Sequence, residues 1–253
     1  MQHINLVYFS ATGGTEKIAR RLASAISGIS LEVNLTNPTS EQHDFDNNSI
    51  AIVAAPVYMG RVAVPALEAL RKINGNGCRT ISIITYGNRH YDSALVELND
   101  TLTEQGFQVI ASGTFIAEHS LVHELAAGRP NEDDLLFIDK FAKEVTEKIN
   151  SGDMQMKDTV PGERPYIVLP RVKSPIAVSD NCTKCGICAE QCPMGAIDKD
   201  NPTQTDTEKC IVCMRCAYVC PVKARSLPEA VYTKMSGYLL GSYSTPKENE
   251  VYF

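Results

Sequence analysis

Cys182-Thr-Lys-Cys185-Gly-Ile-Cys188-Ala-Glu-Gln-Cys192-Pro193 is echoed downstream by Cys210-Ile-Val-Cys213-Met-Arg-Cys216-Ala-Tyr-Val-Cys220-Pro221. Both runs set three cysteines three residues apart, place a fourth four residues on, and close with proline. That spacing brings thiolates from a tight turn onto one polynuclear centre, and the proline turns the chain away. It matches the bacterial iron–sulfur run. Zinc ribbons use paired Cys-x2-Cys without the third cysteine or the Cys-Pro, so zinc fits poorly. Eight of the nine cysteines lie in these runs. Clustered thiols in a chain with no visible secretory signal read as metal ligands, not disulfides.

Outside the runs, the composition is that of a globular chain. Of 253 residues, 43% are hydrophobic and 21% charged, enough apolar material for a sizeable core. No apolar run is long enough to span a membrane, and no basic segment leads into an apolar one at the start, so the expected location is the cytoplasm. The net charge is -6 and unevenly placed: residues 1–150 hold 18 acidic against 12 basic side chains, and residues 151–253 hold 12 of each. An acidic chain without a basic patch is a poor candidate for nucleic-acid binding.

Upstream of the cysteines the pattern alternates. An apolar run at 4–9 leads through a small, hydroxyl-rich stretch into a helical period over 16–26. Strands are expected near 31–35, 50–55, 80–85 and 107–116, and helices over about 65–73, 91–105 and 131–150. Alternating strands and helices imply a parallel sheet covered on both faces. The period stops where Pro161, Gly162, Pro165, Pro170 and Pro175 mark a linker. The expected division is therefore 1–150, a linker at 151–178, the cysteine domain at 179–227, and an aromatic-rich tail at 228–253 with a short helix near 229–240.

The first loop reads Ser10-Ala11-Thr12-Gly13-Gly14-Thr15. It supplies neither a Walker loop nor a dinucleotide fingerprint. It does supply hydroxyls, glycines that allow close backbone approach, and a helix start, which together suit a phosphate monoester. An N-capped helix without ligand is the bland alternative.

This strand and loop resemble the phosphate loop of flavodoxins. Two later loops, Pro56-Val57-Tyr58-Met59-Gly60-Arg61 and Tyr86-Gly87-Asn88-Arg89-His90-Tyr91, fall where that family places its isoalloxazine loops, at the carboxyl ends of strands. The resemblance implies a flavodoxin-like doubly wound sheet of order 2-1-3-4-5 and an FMN site made of those three loops. Tyr58 or Tyr91 would stack on the ring, and the Met59-Gly60 peptide would respond to its N5 proton. Arg61 and Arg89 depart from the acidic surroundings usual in flavodoxins. Each is either beside the ring, favouring its reduced anion, or on the surface.

The cysteine region in turn resembles bacterial two-cluster ferredoxins, a small α+β domain, with a longer interval at 194–209. There the fourth cysteine of each run serves the other cluster. The resemblance therefore implies one [4Fe-4S] cluster on Cys182, Cys185, Cys188 and Cys220, and another on Cys210, Cys213, Cys216 and Cys192.

Joined, the halves look like flavodoxin–ferredoxin fusion proteins, which implies electron transfer between two [4Fe-4S] clusters and FMN in anaerobic-type metabolism. The implied partners are redox proteins, with no nucleic acid or membrane. Association with a second copy stays open. The rival is an FMN-dependent reductase of a quinone or activated alkene, with His90, Tyr58, Tyr91 or His119 as proton donor. No nicotinamide-binding motif is present, and a redox sensor or structural iron–sulfur protein would leave the flavin loops unexplained. Which cluster faces the flavin stays undetermined at this stage. Cys78 reads as a buried structural thiol. His119 and His123, four apart, lack the zincin order and read as surface or flavin neighbours. Glu132, Asp133 and Asp134 read as an acidic first helical turn.

Overall fold

A computed structural model of the chain describes residues 4–37, 43–170 and 173–253. Five parallel strands build the main sheet: Ile4–Tyr8 (β1), Ile29–Asn34 (β2), Ile50–Tyr58 (β3), and, after the short Arg61–Val62 (β4), Arg79–Tyr86 (β5) and Gln108–Ile116 (β6). Gly14–Ile26 (α1), Val64–Leu70 (α2), Ala94–Glu104 (α3) and Glu132–Ser151 (α4) connect and cover them. The spatial order is β2-β1-β3-β5-β6. With β4 set aside as a hairpin arm on β3, this is the expected 2-1-3-4-5 order of the flavodoxin-like fold.

The two-residue period of the strands sorts their side chains onto two cores. Ile4, Leu6, Tyr8, Ile50 and Ile52 face α1 and α4, where Ile18, Leu22, Ile138 and Phe141 meet them. Val7, Phe9, Ala51 and Val53 face α2 and α3, against Leu67, Leu70, Leu95 and Leu98. The acidic run opens α4 as expected: Asn131 caps it, exchanging hydrogen bonds with Asp134. Cys78 is buried, as expected, and burial raises its thiol pKa. Among the described residues no helix is long and apolar enough to cross a membrane.

After α4 the chain does not hang free. Within the stretch read as a linker, Arg164 and Tyr166 bond to Asp100 on α3, and the Ser93 hydroxyl accepts from the Ile167 amide at 3.1 Å. Ala177–Val178 (β7), also inside that stretch, pairs antiparallel with Arg225–Ser226 (β8) and closes the small second unit. That unit holds one turn of helix in each cysteine run, Ile187–Glu190 (α5) and Arg215–Tyr218 (α6). Ile176, Ala189, Ile197, Val212 and Leu227 form its core.

The tail departs most from expectation. Glu229–Tyr243 (α7) is longer than the short helix foreseen, and Glu250–Tyr252 (β9) adds an antiparallel strand to the edge of the main sheet beside β6. Asn88 anchors it: its Nδ2 donates to the carbonyls of Tyr243 (2.6 Å) and Thr245 (2.9 Å), and its Oδ1 accepts from the Lys247 amide (2.9 Å).

Candidate functional site

The eight clustered thiols fall into two groups. Cys182, Cys185, Cys188 and Cys220 line one small cavity. Burial pushes the Cys213 thiol up to about 12; the Arg215 amide opposes the shift, while Cys216, Cys192 and Cys210 add to it. Cys213 is therefore within electrostatic reach of the other three thiols of its implied set. Cys216, pushed up to about 11 by burial, senses Cys210, Cys192 and Cys188. Backbone amides already aim at several sulfurs: Ala196 N–H donates to Cys192 Sγ (3.3 Å), Val212 to Cys210 (3.4 Å) and Ala224 to Cys220 (3.2 Å). Such donors stabilise thiolate over thiol.

The Ser10–Thr15 loop ends β1 and opens α1. Ser10 Oγ accepts from the Glu16 amide (3.1 Å), and Thr15 Oγ1 lies 2.6 Å from Thr85 Oγ1, so these two hydroxyls shape the loop. The amides of Thr12, Gly13, Gly14 and Thr15 find no acceptor among the described residues. These are the orphan donors that an anion at a helix N-terminus satisfies. The loop borders a cleft of about 850 Å³ whose far wall is Met214, Ala217 and Tyr218, with Lys17, Arg129 and Lys223 also lining it. A Cβ on Gly13 would stand 2.9 Å from the Tyr218 hydroxyl, so the second unit closes on this loop.

At the second loop, Met59 (φ 54°) and Gly60 (φ 75°) make two successive left-handed residues between the paired Tyr58 and Arg61. That is a tight hairpin turn, and Gly supplies the second left-handed position without steric cost. Part of the Tyr58 surface reaches solvent, but its hydroxyl end is enclosed; burial pushes it well above its ordinary range, and Cys213 adds to the shift. Pro56 and Val57 lead into the turn at the end of β3.

The third loop is occupied mostly by structural bonds. The Asn88 side chain is committed to the tail. Arg89 pairs with Asp92 and lies over the Tyr243 ring. Tyr91 is buried, edge-on to Tyr86 at 5.3 Å, and its hydroxyl donates to Glu250 at 2.5 Å. Of the two tyrosines named for stacking, Tyr58 sits at the joint between the halves and Tyr91 is tied to the tail. Arg61 points to the linker, paired with buried Glu97, bonded to the Ile167 carbonyl and stacked on Tyr166. His119 packs against Gly87, where a Cβ would come within 2.5 Å of its ring. His119 and His123 share no helix; His123 bonds to Glu118 instead.

One contributor had no sequence signal. Arg215, between two cysteines of the second run, donates from Nη1 to the Ala11 carbonyl (3.4 Å) and from Nη2 to Gln191 Oε1 (2.7 Å). Its Nε is buried without a partner.

Residues 181–224 match the family described as the 4Fe-4S dicluster domain. A ferredoxin of Pyrobaculum islandicum is 36% identical over 80 residues, covering 29% of this chain and 74% of that protein. Through this segment the chain belongs to the dicluster ferredoxins. An uncharacterised polyferredoxin-like protein of Methanocaldococcus jannaschii is 36% identical over 61 residues, 24% of this chain and 27% of its own length. The dicluster ferredoxin segment is thus a minor part of a chain whose larger part has the flavodoxin-like fold, established by its strand order. A Fusobacterium nucleatum flavodoxin, solved bound to flavin mononucleotide, overlays 58% of this chain and 99% of its own at 17% identity and a TM-score of 0.42. Joining the two folds implies electron transfer.

Proposed function

We propose that the chain transfers electrons between two [4Fe-4S] clusters and FMN, coupling one-electron to two-electron steps. When bound, the clusters exchange single electrons and the flavin accepts one or two. The observation that carries this reading is the docking of the second cysteine run on the first two loops, through Arg215 at Ala11, Tyr218 at Gly13 and Cys213 near Tyr58.

The cysteines fit the clusters, and the first loop fits the phosphate end of FMN. The unpartnered amides of residues 12–15, with Lys17 and Lys223 beside them, suit a phosphate dianion. The orphan Nε of Arg215 supplies a buried donor next to Ala11. Peptides of residues 57–60 and 86–89 would meet the polar edge of the ring, and Tyr58 would cover an apolar face. In the ferredoxin segment, Cys182, Cys185, Cys188 and Cys220 would hold one cluster, and Cys192, Cys210, Cys213 and Cys216 the other.

The carrier reading is favoured over a small-molecule reductase. The Tyr91 hydroxyl is engaged by Glu250, and His119 Nδ1 accepts from two backbone amides. The test is reoxidation of the photoreduced full chain, cleared of free flavin, by a panel of quinones, activated alkenes and one-electron carrier proteins. The carrier reading expects exchange with the carriers and no sustained turnover of a small molecule. Turnover of one specific quinone or alkene would overturn it. In the same preparation, Cys220→Ala should remove the cluster built on Cys182–Cys188, about half the iron; loss confined to the other cluster would refute the crossed ligation.

A further inference from the structure

We propose that the two thiolate cages are ordered: the cage of Cys192, Cys210, Cys213 and Cys216 is the inner one, against the flavin loops, and the cage of Cys182, Cys185, Cys188 and Cys220 is the outer one. The inference rests on the function proposed above and adds the direction in which the site is read.

Two independent contacts set the order. Cys213 is part of the apolar core of the flavodoxin-like half, in one cluster with Ala11, Ala55, Tyr86 and Tyr91; Ile211, Val57 and Tyr58 pack against it. No residue of the first cysteine run joins that core. Arg215, between Cys213 and Cys216, spans the joint from Gln191 to the Ala11 carbonyl of the phosphate loop. Tyr218, on the same helical turn as Cys216, abuts Gly13. Among the described residues, the contacts that favour the inner cage are therefore those of Cys213 and Arg215; Tyr218 lies between Cys216 and Cys220, and Lys223 and Arg225 beyond the second run also line the cleft at the first loop.

None of the four outer cysteines joins the core of the flavodoxin-like half. The cavity of the outer cage is lined only by residues of the ferredoxin segment, among them Gly186, Pro202 and Val222. Each cage has two buried cysteines, Cys188 and Cys220 in the outer one and Cys213 and Cys216 in the inner one; Cys182, Cys192 and Cys210 are half-buried, and Cys185 of the outer cage is exposed. An outside one-electron carrier protein thus meets the outer cage first. Each transfer moves one electron, the carrier being oxidised and this protein reduced, with no bond made or broken.

The order is read from the EPR signal of the flavin in partly reduced, anaerobically prepared full chain. A paramagnetic cluster nearby speeds relaxation of that signal, and the nearer cluster dominates. Cys185→Ser should leave the microwave power needed for half-saturation near the wild-type value. Cys213→Ser should lower it several-fold. Against the case that Cys213→Ser does not fold, the wild-type protein is treated with ferricyanide and chelator until about half its iron is gone. The exposed cage should be stripped first, and fast relaxation of the flavin signal should survive. Loss of fast relaxation with the first half of the iron, or its loss in Cys185→Ser, would overturn the order alone. A starting protein without FMN or without two clusters would instead overturn the function, and the order with it.

Discussion

His119 shows what a single residue does when its neighbours decide its charge. Its Nδ1 accepts from the amides of Leu121 (3.2 Å) and Val122 (3.1 Å), so the neutral ring carries its proton on Nε2. Burial pulls its pKa down to about 4, and His123 adds to the shift. Between the ordinary value near 6.5 and about 4, the unfolded chain binds this proton and the folded chain does not. The contribution to stability is complete above that window and is lost as pH falls through it. Between about pH 7 and pH 5, His119 should account for a loss of about 2 kcal/mol. His119→Asn keeps an acceptor near the Nδ1 position and removes the titration. Urea unfolding at the two pH values should show a flatter dependence in the variant; equal slopes would contradict this role. The sequence showed only that His119 and His123 stand four apart without the zincin order, and they read as surface or flavin neighbours. The turn that makes His119 an acceptor is a tertiary product.

At the scale of elements, Glu97 of α3 holds the β3–β4 hairpin that presents Met59 and Gly60. Its Oε2 accepts from Arg61 Nε (2.8 Å) and from the Val62 amide (3.0 Å), its Oε1 pairs with Arg61 Nη2, and its side chain is 2% exposed. Removing one partner of a buried pair strands the other, here only in part. Arg61 is 30% exposed and keeps other partners, so Glu97→Ala should cost about 2–3 kcal/mol and, on the proposed function, weaken FMN retention through the loosened hairpin. The exposed pair Lys143–Glu147 on α4 is the control: Glu147→Ala should cost under about 0.5 kcal/mol. Denaturant titration of both variants checks the contrast, and similar losses would remove the argument for Glu97. The five main strands and their helices were legible because each carries an apolar period of its own. Glu250–Tyr252 was not. Three residues hold no period, and their place is set by bonds from Tyr91, Asn88 and Asn249 to distant partners. The linker escaped for the same reason: prolines announce irregular backbone but not the Asp100 and Ser93 side chains that receive it.

At the scale of the molecule, each half is legible because its chemistry is local. Two cysteine runs specify the ferredoxin segment, and one strand–loop–helix with two later loops specifies the flavodoxin-like half. Their joint is not local. It is made by Ile211, Cys213, Arg215 and Tyr218, which sit within or just beyond a motif whose spacing is already explained by cluster ligation, so nothing in the pattern marks them as contacts. Docking brings two separately readable motifs together, and the proposal that both cofactors reside on this chain is the one most open to direct measurement. Iron, acid-labile sulfide and FMN should be quantified per chain after anaerobic purification. The account predicts about eight irons, about eight sulfides and about one FMN. About four irons, zinc in place of iron, or a chain that holds its clusters and binds no FMN would contradict it.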